Sequence, residues 1–279
     1  MRSRRMSPLI WVLLITFVII LAIAFIGPLV FRVDLDATDL THRLLRPSLL
    51  SGGGGHLLGT DALGRDFLLR VMYGTRTSLL VAFGGMVIAV VAGTVLGMIA
   101  GMYRGWVDSV IAFLIDVRLA VPSIVIALVA AAVFGSSALV LILIIGFTGW
   151  SSFARIIRGE LMRLRESGFM EASRSIGSSP VRVMVEHVVI NISSLVIVNG
   201  TLMLSSFILM ESALSYLGLG IQPPNVSLGV LVAEGRDQMI NNWWLAIVPS
   251  IVIVAIVLQV SLLGDWLRDQ LDPKLKRSA

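Results

Sequence analysis

The chain has 279 residues, 57% of them hydrophobic and only 14% charged, with a mean hydropathy of +0.94 and a formal charge of +5. A soluble domain carries about a quarter charged residues, so this composition excludes a single water-soluble core and points to a lipid bilayer. With no cysteine, disulfide frameworks, thiolate metal sites and cysteine nucleophiles are excluded too, and membrane topology accounts for the positive charge without a nucleic-acid partner.

Six segments are long and apolar enough to span, since a hydrocarbon core of about 30 Å needs about 20 helical residues. They are 9–30, 79–102, 109–134, 138–154, 188–210 and 243–263. Backbone groups cannot face lipid unpaired and a barrel would need short alternating strands, so the fold class is an all-α integral membrane bundle. The first segment follows Arg2, Arg4 and Arg5 in the manner of a signal peptide. Its uncharged run exceeds the roughly 7 to 15 residues of a signal core, so a retained anchor is expected. We divide the chain into residues 1–78, the first span plus an exterior segment, and residues 79–279, a core of five spans.

The exterior segment, 31–78, contains the run Gly52, Gly53, Gly54, Gly55, a flexible hinge by composition. Next comes His56-Leu57-Leu58-Gly59-Thr60-Asp61-Ala62-Leu63-Gly64-Arg65-Asp66, which alternates glycine turns with acid, base and acid. Asp61, Arg65 and Asp66 are expected either to form a local ion-pair network in a tight turn or to help receive a ligand.

The third span is the only one with charges, Asp116 and Arg118. Two residues apart on a helix, they face different sides and are not expected to pair with each other. Ionisable groups at membrane depth line a path or find a partner. For Asp116, snorkelling or an ion pair with a neighbouring helix competes evenly with a transport role. Pro122 is expected to kink or break this span. Glu211, at the outer end of the fifth span, is expected at the interface in contact with water. The second exterior segment, 215–242, carries Gly218, Gly220, Pro223, Pro224 and Gly229, all turn formers.

Between the fourth and fifth spans lies a polar island, Glu171-Ala172-Ser173-Arg174-Ser175-Ile176-Gly177-Ser178-Ser179-Pro180. Residues 167–176 suit a short helix, Gly177 a left-handed stop, and Ser179 with Pro180 the start of the next helix. The small side chains permit close approach by another backbone, and Glu171 and Arg174 offer charges one turn apart. A rigid docking element and an ordinary solvated connection both fit this composition. If the N-terminus is cytoplasmic, fourteen of the 22 basic residues fall in inner segments and seven in outer ones, which places both termini inside.

Enzymatic readings fail by subtraction. The only lysines, Lys274 and Lys276, sit in the C-terminal tail, so no P-loop is present; His42, His56 and His187 lack HExxH spacing, and no GxSxG elbow occurs.

Glu171-Ala172-Ser173 followed by Gly177 resembles the EAA loop of ABC importer permeases. The 56–66 run, Tyr73-Gly74-Thr75-Arg76-Thr77-Ser78-Leu79, Leu217-Gly218-Leu219-Gly220 with Pro223-Pro224, and the run from Gly264-Asp265-Trp266 to Asp272-Pro273 resemble the second permease of dipeptide, oligopeptide and nickel importers. Departures from that pattern are Ser173 in place of alanine, Val189-Ile190 before Asn191, Val121 before Pro122 and Leu228 after Ser227. The resemblance implies a type I ABC importer-like bundle with a cytoplasmic coupling helix in a loop at about 160–187. It implies a heterodimer with a second homologous permease, two P-loop ATPase subunits that bind ATP and Mg2+, and an exterior solute-binding protein. This chain itself would bind no cofactor and no metal, and would sit multi-pass in the cytoplasmic (inner) membrane, in contact with lipid. Glu171, Ala172, Ser173, Arg174 and Gly177 would couple to an ATPase. Asp116, Arg118, Pro122 and Glu211 are candidates for the substrate path, and Gly59, Thr60, Asp61, Gly64, Arg65 and Asp66 form the exterior motif. Small peptides are the expected cargo; nickel or other metal chelates, glutathione, or a non-transporting membrane scaffold are the alternatives.

Overall fold

A computed structural model describes residues 8–31, 38–48, 55–103, 105–166 and 188–271. Among them, eight α-helices follow one another: α1 (Pro8–Val30), α2 (Phe67–Met102), α3 (Trp106–Ala120), α4 (Ser123–Phe134), α5 (Ala138–Arg165), α6 (Val189–Tyr216), α7 (Leu228–Arg236) and α8 (Trp244–Leu271). Five of these, α1, α2, α5, α6 and α8, are long and apolar enough to cross a membrane.

The expected third span is instead two helices, α3 and α4, that meet at 85°. At about 1.5 Å per residue neither covers a 30 Å core alone; the described residues give five spans, and six only where the bent pair counts as one. Pro122 stands at the break as the N-cap of α4, where it has no N–H to continue the helical ladder.

Other boundaries move for local reasons. The second span begins at Phe67, twelve residues before the apolar run at 79, because Asp66 caps it by accepting from Leu69 N at 3.1 Å. Its early charges are paired, as described below. The segment 215–242 is not all turn: Ser227 accepts from Val230 N at 3.4 Å and starts the nine-residue helix α7.

The centre of the bundle is the pair α2 and α5. Gly85, Ala89, Gly93, Gly97 and Gly101 recur every four residues and line one face of α2, so α5 approaches to backbone contact. A Cβ on Gly93 would lie 2.7 Å from Trp150 O, and one on Gly97 2.7 Å from Ala154 O. Small residues at this spacing pack helices where lipid removes the hydrophobic drive between them. Ile145, Phe153, Ile157 and Leu161 of α5 are buried against this face and α6. α6 and α8 pack beside the pair, linked by Ser261 Oγ donating to Ser205 Oγ at 3.0 Å. α1 is peripheral and largely exposed, joined by Gln259 Nε2 to Thr16 Oγ1 at 3.0 Å and by Tyr73 Oη to Pro28 O at 3.3 Å.

Candidate functional site

Three regions along the bundle hold the described candidate residues: a cap where residues 55–66 meet α7, the break between α3 and α4, and a stem where α5 ends at Arg165.

In the cap, residues 59–66 form a closed turn. Gly59 and Gly64 both take φ +77°, a region that side chains avoid, and a Cβ on either would collide with the backbone of residues 39–47. Thr60 is fully buried; its Oγ1 donates to His42 O at 2.5 Å and accepts from Leu45 N at 2.9 Å. Asp61 is the hub. Its Oδ1 accepts from Leu63 N and Arg65 N at 2.8 and 2.9 Å, and its Oδ2 accepts from Arg65 Nε and Arg70 Nη1, both at 2.7 Å. Arg70, also buried, donates onward to Glu234 of α7 at 2.5 and 3.1 Å. The expected network of Asp61, Arg65 and Asp66 is therefore redrawn. Asp66 leaves it to cap α2 and to meet His56 Nδ1 at 2.7 Å, and Arg70 and Glu234, which sequence reading missed, take its place. Nothing local in the sequence pairs residue 70 with residue 234.

Glu211 is not at a wet interface. It is fully buried in α6, and Ser215 Oγ donates to its Oε1 at 2.7 Å. Its Oε2, and Ser212 Oγ beside it in the chain, have no hydrogen-bond partner among the described residues. Ser215, Ser78 and Ser227 each accept a backbone N–H, from Ile221 at 3.2 Å, Leu228 at 3.1 Å and Val230 at 3.4 Å. A hydroxyl whose lone pair takes such an N–H keeps its hydrogen to donate, as Ser215 does to Glu211. Ser215 thus stands in for water at Oε1 of a carboxyl that is buried near the end of its helix. The i, i+4 spacing of Glu211 and Ser215 was the one local signal.

At the break, Arg118 is buried and donates to Val121 O at 3.2 Å, to Ser123 Oγ at 3.0 Å and to Thr148 O of α5. It holds the carbonyl that the interrupted helix leaves open and ties the junction to α5. Beside it lies an apolar cleft of about 930 Å³, lined by Val125, Val129 and Val133 of α4, Leu143 and Phe147 of α5, and Ile88 of α2. Asp116 faces elsewhere, exposed, and pairs with Arg155 of α5 at 2.6 Å, the neighbouring-helix ion pair that was one of its two readings. Of the four path candidates, the structure brings together Arg118 and Pro122 only; Glu211 belongs to the cap.

In the stem, Arg158 of α5 grips Asp108 of α3 through two hydrogen bonds, Nε to Oδ1 at 2.5 Å and Nη2 to Oδ2 at 2.9 Å. Arg165 Nη1 donates to Gly101 O at 3.3 Å and Met102 O at 3.1 Å, carbonyls at the end of α2. Glu171, Ala172, Ser173, Arg174 and Gly177 follow α5 in the chain and lie outside the described residues, as do Gly52, Gly53 and Gly54.

Residues 93–277 match the family described as binding-protein-dependent transport system inner membrane component. The chain belongs to this family. The permease is 37% identical over 272 residues to the di/tripeptide transport system permease protein DppC of Pseudomonas aeruginosa, covering 97% of this chain and 88% of that one. It is 35% identical to the dipeptide transport system permease protein DppC of Haemophilus influenzae, covering 95% and 90%. It is also 39% identical to the oligopeptide transport system permease protein OppC of Mycobacterium tuberculosis, covering 79% and 77%. Its fold is similar to a chain of the inward-facing MetNI methionine ABC transporter, with a TM-score of 0.61 at 15% identity, covering 73% of this permease and 96% of that chain. The type I importer-like bundle expected from sequence is borne out, and the chain is a multi-span permease subunit of the inner membrane, not an enzyme.

Proposed function

We propose that this permease forms half of the translocation path of an ATP-driven importer for small peptides, delivered by an exterior solute-binding protein. The other half is a second, homologous permease. ATP and Mg2+ are held by two P-loop ATPase subunits on the cytoplasmic side, where both termini and the stem lie, with the cap outside. The observation that carries the peptide reading is the 37% identity, across 97% of this chain, to a permease named for di- and tripeptide transport.

The geometry supports a division of labour. The cap is a pre-formed polar scaffold that needs no ligand to hold its turn. The apolar cleft beside the α3 and α4 break offers a face of the kind that a second membrane subunit covers. Glu171, Ala172, Ser173, Arg174 and Gly177 dock on an ATPase directly after α5, so that its closure moves the stem; alternating access is a two-state change biased by differential binding. Uptake of a radiolabelled dipeptide by cells lacking and then regaining this chain tests the proposal. Uptake restored by the chain and competed by unlabelled dipeptides supports it. Restored uptake of a nickel chelate or of glutathione in its place moves the cargo to that class, and a chain needed for assembly of a complex without any saturable uptake is a scaffold.

A further inference from the structure

α3 sits between two different kinds of junction. Towards α4 the chain turns through 85° at residues 121–122, with no helical ladder across Pro122. Towards α5 it is pinned by Arg158 and Asp108, and by Arg155 and Asp116. Arg155 and Arg158 lie one turn apart on α5, and Asp108 and Asp116 about two turns apart on α3, so each pair of like residues shares a helix face. The two contacts are unequal. Arg155 and Asp116 are 55% and 69% exposed, and exposed pairs contribute little. Arg158 and Asp108 are 27% and 24% exposed and meet through two parallel bonds, the geometry that makes a guanidinium and carboxylate contact strong and directional.

We infer that Arg158 and Asp108 are positioning residues that lock α3 to the stem half of α5, so that the two move as one body about a hinge at residues 121–122. Displacement of α5 then carries α3 with it and moves the α5 wall of the cleft against α4, which joins α3 only across the break at residues 121–122. Arg118 is the hinge restraint, holding Val121 O and Thr148 O on either side. This inference rests on the reading of Glu171, Arg174 and Gly177 as the ATPase-coupling segment.

The test uses the assembled transporter, permease pair, ATPases and binding protein, in lipid vesicles. Because the chain has no cysteine, spin labels can be placed at will. With Leu114→Cys and Ile156→Cys the distance between α3 and α5 is expected to stay the same between nucleotide-free and ATP-vanadate-trapped states. With Leu114→Cys and Ala132→Cys the distance between α3 and α4 is expected to shift. Arg158→Asp is expected to preserve assembly and basal ATP hydrolysis but to lower the stimulation of hydrolysis by the loaded binding protein roughly tenfold, within the usual range of coupling between sites. The exchange Arg158→Asp with Asp108→Arg is expected to restore most of it, and unchanged assembly and basal hydrolysis in Arg158→Asp set the effect apart from a folding lesion. An α3 to α5 distance that changes as much as the α3 to α4 distance, or an exchange no better than Arg158→Asp alone, overturns the inference. Glu171→Arg separates the two levels. If it abolishes stimulation while Arg158→Asp leaves it intact, only the present inference falls; if Glu171→Arg is itself silent, the coupling reading falls and takes this inference with it.

Discussion

Replacing Arg70 by methionine would strand Asp61, whose side chain is 6% exposed, beside one remaining arginine, and would release Glu234 of α7. Removing one side of a buried ion pair costs about 3–5 kcal/mol where the charge is left uncompensated, and less here because Arg65 and two backbone N–H groups remain on Asp61. Thermal unfolding of the purified permease should therefore come at a lower temperature for Arg70→Met, with a smaller drop for Arg65→Met, because Arg70 alone also hydrogen-bonds Glu234 of α7. Asp39 gives a pH-dependent counterpart on the exposed turn beside the cap. Hydrogen bonds from Thr41 and His42 lower its pKa from 3.8 to about 2. Since the folded value is depressed, its contribution is present above 3.8 and is lost as pH falls towards about 2. A carboxyl chemical-shift titration should place its midpoint near the lower value and Thr41→Ala should raise it. At this scale the sequence revealed residue types more readily than partners. The glycine and carboxylate pattern of residues 59–66 announced a tight turn with an Asp61 and Arg65 pair, but Arg70 with Glu234, and Ser78 with Leu228, are contacts between segments over a hundred residues apart.

Each helix was legible to the extent that its own residues decide it. The apolar runs marked the five crossing helices and the bent pair α3 and α4, and Pro122 marked the break, because a missing N–H is a local fact. The start of α2 was hidden because Arg70 and Arg76 look like solvated charges until the cap pairs one and Phe25 lies under the other. α7 was hidden among glycines and prolines, although Ser227 before an apolar stretch is an N-cap signal. The four-residue stripe of small side chains on α2 carries its own prediction. Gly97→Ala should destabilise by about 1–3 kcal/mol despite the better helix former, because the added carbon meets Ala154 O at 2.7 Å. Gly159→Ala on α5, where a Cβ meets nothing within 4 Å, should stabilise by up to about 1 kcal/mol. Thermal midpoints of the two variants should move in opposite directions.

For the whole molecule, the two ends of the bundle have different construction. The cap is closed by Arg70 of α2, which holds Asp61 and Glu234 of α7, and by Leu228 N of α7 donating to Ser78 of α2. The stem is fastened by long arginine side chains between helices, and the bent pair α3 and α4 lies between these two regions. Such a body has one end built to hold shape and another built to be pushed, which fits a permease driven by separate ATPases. The most direct measurement is uptake of a radiolabelled dipeptide alongside ATP hydrolysis, in vesicles containing the complete transporter with either the unaltered chain, Glu171→Arg or Gly177→Val. Our account predicts that both variants assemble and hydrolyse ATP while uptake per ATP collapses. Uptake per ATP unchanged in both variants would contradict it.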